Sequence, residues 1–507
     1  MSLAMQASSA GAKGLERRPG LSMRNFTCIA QGGFGDGHNS YAHSMTWFDN
    51  MLYVGTTRQN LCMLRLQSAF QTVPFHKWPV ECPDTLDQLD RTDRCAQIWC
   101  YNPGVERWEM IYRSPLVQSS VSGMVAREMG YRSMAVFQGE SDPKPALYVA
   151  AWAPRRAPGG NILRSYDGRT FEPVTRPGIL EQSIQATRSL TTFRDRMFFS
   201  PTAHRAADLQ GGQQNIAGLP LIFESRDPGA RRWTEVNDPG FGDPGNLGIF
   251  SLVADEERLY AGTFNLAGLQ VWASECRGTP PYKWYKLLDR GAGRGPPNQM
   301  VMSMLSFNGA VYIGTGLQGG GNDRVNKIGP AAADLIRINP DGTWDLIVGD
   351  ARDVDRKNRE PLSGLRSGFG NFFNGYIWSL EAHDGWLYAG TYDWSVMLRW
   401  STLSEAPPKV ARFFNLLDPE TVIANASGAE LWRSRDGENW MPVNRRGFGN
   451  PYNVGIRNVV STPCGLFVGT GNFFGPRVAV RSGLEWGYED NPRGGLEIWL
   501  GKHGEPD

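Results

Sequence analysis

Seven positions in this 507-residue chain vary in chemistry while their neighbours hold still. They are His43, Arg132, Arg188, Phe250, Met302, Trp378 and Arg457. Each is followed by a serine (Ser44, Ser133, Ser189, Ser251, Ser303, Ser379) or by Asn458, and then by an aliphatic residue or methionine. A uniform position suits a repeated structural task, and a varied one suits a surface facing something asymmetric. Three guanidiniums favour a carboxylate, a phosphate or a departing anion. Phe250, Trp378 and Met302 favour a flat or apolar body. Around this column stand Tyr131, Tyr376 and Tyr41, with Tyr392 and Asp393 after one repeat and His204 in a long loop of another. The chemistry expected of such a set is an Asp393 general base, with Arg132, Arg457 and Tyr131 stabilising a leaving anion. His43, Arg188, Phe250, Met302, Trp378, Tyr376 and His204 would then hold substrate. A second reading places the column between repeats, paired with carboxylates such as Glu128 or Asp393.

The elements that must position these residues are repeats. Gly33-Phe34-Gly35-Asp36 is followed by Asn39 and Ser44-Met45, and the same spacing recurs from Gly240, Gly368 and Gly447 without a gap. Each copy leads into an apolar run ending in Gly-Thr, at Leu52 to Thr56, Leu259 to Thr263, Leu387 to Thr391 and Leu466 to Thr470, and Val311 to Thr315 repeats the run. Leu147 to Ala151 and Met197 to Pro201 are degraded copies, which brings the number to seven. Short, evenly spaced apolar segments punctuated by Gly, Pro, Asn and Asp predict an all-β, single seven-bladed β-propeller with four-stranded blades. The blades are expected over about 32–116, 117–179, 180–240, 241–296, 297–366, 367–446 and 447–501. Residues 1–22 read as a disordered leader and 502–507 as a tail. The last unit lacks a strand, and Asn25 to Ile29 is a strand without a blade, so these two are expected to close the ring.

Ser165-Tyr-Asp167-Gly168, Ser225-Arg-Asp227 and Ser434-Arg-Asp436-Gly437 mark tight turns, each preceding an aromatic residue. They resemble the Asp-box turns of sialidase-like and sortilin-like propellers, one residue short, which in those families lie away from the active site. The Gly-Phe-Gly loops and the loops after Gly-Thr emerge on one face, and the long irregular loops belong to that face. Function is expected there.

Other classes are excluded or unsupported. Charge is balanced at 52 basic against 51 acidic residues, so no global field recruits nucleic acid. No run of 18 apolar residues exists, so no membrane-spanning helix is expected. Without an apolar core in residues 1–19, the location expected is cytoplasmic. The seven cysteines contain no Cys-x-x-Cys pair and read as reduced, mostly buried thiols. Six scattered histidines give no metal motif, and the repeated Asn39, Asn246, Asn298, Asn374 and Asn453 read as turn supports before calcium ligands. No cofactor is evident. Gly319-Gly320-Gly321-Asn322 lacks a P-loop lysine and reads as a flexible loop.

Two segments, Arg127 to Met134 and Thr462 to Pro476, together with Gly494 to Gly501, resemble the propeller portion of cyanobacterial enzymes that alkylate resorcinols or carboxylates with alkyl chlorides, the cylindrocyclophane and bartoloside type. The likeness would cover most of residues 24–501. It implies an arginine–tyrosine pair holding a leaving halide and an acidic residue activating the nucleophile. That family carries an additional calcium-binding repeat domain, which is not seen in this chain. The expectation is therefore a small-molecule tailoring transferase acting on an aromatic or anionic substrate. The alternative is a non-catalytic scaffold that binds a partner protein or ligand.

Overall fold

The structure is a computed structural model, described here for residues 18–66, 75–121, 123–179, 184–204, 220–402 and 418–504. Its strands form seven antiparallel blades around one axis. Blade 1 runs from the inner strand Asn39–Phe48 through Met51–Arg58 and Gln97–Asn102 to the outer strand Arg107–Arg113. The inner strands that follow are Gly130–Phe137, Ile184–Phe193, Asn246–Ala254, Met300–Phe307, Asn374–His383 and Gly455–Thr462. Blade 7 lacks a fourth strand of its own. Phe26–Ala30 supplies it, pairing with Ile498–Gly501, so the two ends of the chain close the ring. Leu21, within the stretch expected as a leader, is fully buried beneath blade 6, and its N–H donates to Tyr388 Oη at 2.9 Å.

The Gly-Phe-Gly signal has a physical cause. The phenylalanine takes a positive φ in all four copies (Phe34, Phe241, Phe369, Phe448), and each ring stacks on a third-strand tryptophan. Those tryptophans follow a Gln or Glu by two residues and donate their indole N–H to it, as Trp432 does to Glu430 at 2.8 Å. The buried asparagine six residues after the first glycine closes the motif. Asn374 donates to Gly368 O (2.9 Å) and to Glu430 (3.0 Å), and accepts from the Thr391 hydroxyl of the Gly-Thr pair (2.9 Å). Asn39, Asn246, Asn298 and Asn453 make the matching bonds to Gly33, Gly240, Gly291 and Gly447. The asparagine column therefore supports turns. The Ser-x-Asp turns are local as well: Asp436 accepts from the amides of Glu438 and Asn439, and a Cβ on Gly437 would lie 1.8 Å from Tyr312 Oη.

Neighbouring blades are stitched at their channel ends. Second strands pair with the next inner strand at Thr57–Gly130, Trp152–Ala186, Phe264–Met300, Gly316–Tyr376, Tyr392–Gly455 and Gly471–Tyr41. Several of these pairs match a large residue with glycine. A Cβ on Gly316 would sit 2.5 Å from the Tyr376 ring, and one on Gly471 2.9 Å from the Tyr41 ring.

One expectation about the thiols fails. Cys62 and Cys82 form a disulfide between the segment after blade 1's second strand and the stretch that packs on a hairpin of blade 7, where Val80 bridges Val478. The hairpin (Arg477–Ser482 with Glu485–Asp490) is an insertion between the blade's second and third strands. Cys28, Cys95, Cys100, Cys276 and Cys464 are free. No helix among the described residues is long and apolar enough to cross a membrane.

Candidate functional site

Every one of the seven varied positions is a β-bulge. The register of inner against second strand slips across His43, Arg132, Arg188, Phe250, Met302, Trp378 and Arg457, so no residue of the second strand stands opposite any of them. A bulge re-aims its extra residue, and all seven line a single cavity of about 270 Å³ at the mouth of the ring. The serine column does what its uniformity suggests. Ser44 Oγ donates to Tyr131 O (2.7 Å), Ser303 to Ile377 O (2.9 Å) and Ser379 to Ile456 O (2.9 Å), while Asn458 reaches Ala42 O across the closure. Each bond ties one bulge to the residue just before the next blade's bulge.

The ring of bulges has two halves. Blades 7, 1, 2 and 3 contribute Arg457, His43, Arg132 and Arg188, whereas blades 4, 5 and 6 contribute Phe250, Met302 and Trp378. The guanidiniums rest on rings: Arg132 on Trp152 at 4.3 Å, Arg188 on Phe250 at 3.8 Å and Arg457 on Trp378 at 5.2 Å from the centroids. Arg132 is 8% exposed, and its Nε and Nη1 have no hydrogen-bond partner among the described residues. Burial and the nearby Arg457 push Arg132 down to about 9, and burial pushes Arg457 down to about 10. Burial, Arg132 and Arg457 take Arg188 well below its ordinary value. At neutral pH Arg132 and Arg457 remain charged, and neither forms an ion pair among the described residues. Two buried like charges such as these are costly until an anion joins them.

Two phenols complete the wall. Tyr41 Oη accepts from Asn60 Nδ2 (2.7 Å) and Tyr376 Oη from the Gly320 amide (2.7 Å), so each keeps its own hydrogen to donate. Burial raises both above the ordinary phenol value, against the opposing effects of Arg457 and Asn60 on Tyr41 and of the Gly320 amide and Arg188 on Tyr376. The glycine run at 319–321 is thus part of the site, held over Tyr376. Beyond it lies Asp323, 1% exposed and bonded to Gln299 Nε2 (2.9 Å) and Asn326 Nδ2 (2.7 Å). It is the sole carboxylate among the described residues lining the cavity. Sequence reasoning missed Asp323, Gln318, Asn60 and Trp152. Trp152 follows the degraded copy by one residue, where Tyr392 follows the intact one, so alignment of the repeats held the signal.

Two expected site residues are displaced. Tyr131 immediately precedes the bulge, and side chains alternate along a strand. It therefore points between blades 1 and 2, fully buried against Tyr112. Asp393 is also fully buried and does not line the cavity. It accepts from the Ser395 amide (2.9 Å) and Asn371 Nδ2 (3.1 Å), and burial lifts its carboxyl to about 7. Glu128 meets Ser114 and Arg127 and pairs with none of the column. The side chain of His204 lies outside the described residues. No group of three or more His, Cys, Asp or Glu among the described residues could hold a metal ion.

No protein-family description matches the chain, and no curated protein matches it. Among solved structures it is similar to PorZ of the type-IX secretion system of Porphyromonas gingivalis, at 11% identity and a TM-score of 0.46. That match covers 91% of this chain and 46% of the other, so the chain spans about half of that protein. It is also similar to a Penicillium chrysogenum α-L-arabinanase complexed with arabinobiose, at 12% identity over 73% of this chain and 93% of that one, with a TM-score of 0.38. A Fusarium graminearum α-L-arabinofuranosidase matches at 10% identity over 70% and 88% of the two chains, with a TM-score of 0.35.

Proposed function

We propose that the mouth is the active site of a small-molecule tailoring enzyme that transfers an alkyl group to an aromatic or carboxylate nucleophile with loss of an anion. The observation that carries this reading is the division of the bulge ring into a cationic arc (Arg457, Arg132, Arg188, with His43) and an apolar arc (Phe250, Met302, Trp378). The apolar arc takes the alkyl or aryl body. The cationic arc, with the hydroxyls of Tyr41 and Tyr376, takes the negative charge as it develops. Asp323 receives the proton of the nucleophile. The bond from nucleophile to carbon forms as the bond from carbon to leaving group breaks, and the departing anion lodges among the guanidiniums. Glycoside hydrolysis is disfavoured, since it uses two facing carboxylates and Asp323 stands alone among the described lining residues. The Cys62–Cys82 bond supports an oxidising compartment over a cytoplasmic one.

The test supplies a primary alkyl chloride and a resorcinol, and measures chloride release together with the alkylated product. Wild type is expected to release one chloride per product, and Arg132→Ala to lose at least 100-fold in rate while staying folded. An Arg132→Ala protein as active as wild type contradicts the reading. No turnover in wild type, together with a stoichiometric partner protein held at the mouth, turns the assignment to a scaffold.

A further inference from the structure

His43 sits between Arg457 and Arg132 in the order of the blades, and its ring lines the cavity at 4% exposure. A tilted contact with Tyr41 (centroids 5.6 Å apart) and an edge contact with Trp152 (5.8 Å) hold the ring in place. Its Nδ1 meets the hydroxyl of Thr57, and Nε2 has no hydrogen-bond partner among the described residues. Thr57 is fully buried, and that hydroxyl makes no other hydrogen bond among the described residues. A buried hydroxyl hydrogen seeks an acceptor. Nδ1 is the acceptor within reach, so Thr57 donates, and the imidazole proton is confined to Nε2 on the side left for the cavity.

We propose that His43 is a neutral N–H donor to the anionic group of the substrate, with its tautomer fixed by Thr57. This rests on the reading of the mouth as an anion site, and adds a donor that carries no charge of its own. The charged and titratable groups facing the ring are Arg132, Arg188, Arg457 and Tyr41. Burial first, and then the guanidiniums of Arg457, Arg132 and Arg188, hold the imidazole well below its ordinary 6.5, so it stays neutral across the physiological range. A directed hydrogen bond at that point gives orientation without a fourth positive charge in an arc already repelling itself.

The test uses the whole protein with benzoate as probe, titrated calorimetrically at pH 6 and pH 8, and nitrogen NMR of the histidine ring. Three results are expected. The ring is neutral and protonated on Nε2 at both pH values. Benzoate affinity does not rise as pH falls from 8 to 6. His43→Asn, whose amide reaches only the Nδ1 position, binds benzoate about tenfold or more weakly, whereas His43→Gln, which can place an N–H near Nε2, stays within about threefold of wild type. Melting temperatures identify any variant that fails to fold, and the NMR of wild type decides the tautomer without a variant. An Nδ1–H tautomer, a protonated ring at pH 6, or equal weakening in His43→Gln and His43→Asn overturns the proposal. If wild type binds no benzoate while the tautomer is as expected, the anion-site reading falls, and the role of His43 falls with it.

Discussion

The guanidinium of Arg132 lies 4.3 Å from the ring centroid of Trp152, and its Nε and Nη1 are buried with no acceptor among the described residues. Arg132 comes from the bulge of one inner strand and Trp152 from the second strand of the same blade. The cation is therefore held over an aromatic face where a folded protein would ordinarily supply a carboxylate. Such an arrangement lowers stability and raises affinity for whatever anion completes it.

Arg132→Met is accordingly expected to melt higher than wild type in the absence of ligand, with a gain on the order of 1–3 kcal/mol. The same variant should lose the stabilisation that added benzoate confers on wild type. Thermal denaturation of both proteins with and without benzoate checks this. A lower melting point for Arg132→Met without ligand would mean that the guanidinium has a protein partner it depends on.

Asp393 should behave as a structural acid. Its carboxyl is lifted by burial from the usual range to about 7, so between those two values the folded state binds a proton that the unfolded state does not. Stability from this group is then complete at acid pH and is lost as pH rises toward 7. Asp393→Asn, permanently neutral, should fall behind or match wild type at pH 4.5 and gain on it by on the order of a few kcal/mol by pH 8. Denaturant midpoints at the two pH values measure the difference. Catalytic loss in Asp393→Asn at unchanged stability would return the residue to the active site.

Asn374 joins Gly368, Glu430 and Thr391 in one buried network. Asn374→Ala removes one hydrogen bond from each of the three groups and should cost about 2–4 kcal/mol in denaturant unfolding, while leaving the mouth's anion affinity unchanged once folded. A loss under about 0.5 kcal/mol would show that the blades do not depend on this bond set.

The disulfide is directly countable. Denatured without reductant and alkylated, the chain should take up five labels, since Cys62 and Cys82 are joined and five of its seven cysteines are free. Seven labels would contradict the bond. Cys82→Ser should destabilise by about 3 kcal/mol in the loop-closure estimate.

How much was legible in the sequence follows from these same residues. The blade number and closure were readable because Phe369, Asn374, Thr391, Glu430 and Trp432 interlock, so none can drift without loss. The column was readable for the complementary reason: Ser44 and Ser379 do one repeated job, whereas the bulges beside them face a shared space. Tyr131 was misplaced because the reading counted proximity in sequence and passed over the alternation that turns it away from Arg132. Asp323 was invisible, since only tertiary contact brings the segment around Gly320 onto Tyr376. The pairing of Cys62 with Cys82, twenty residues apart, likewise depends on how the wall of the mouth folds back on the blade 7 hairpin.

A bromide soak of crystals, read by anomalous scattering, locates the anion without assuming a substrate. The bipartite ring predicts an anomalous peak inside the mouth, within hydrogen-bonding reach of Arg132 and Arg457 and on the side of His43. Bromide found only on the outer surface, with none between those guanidiniums, would contradict the assignment of the mouth as an anion-binding active site.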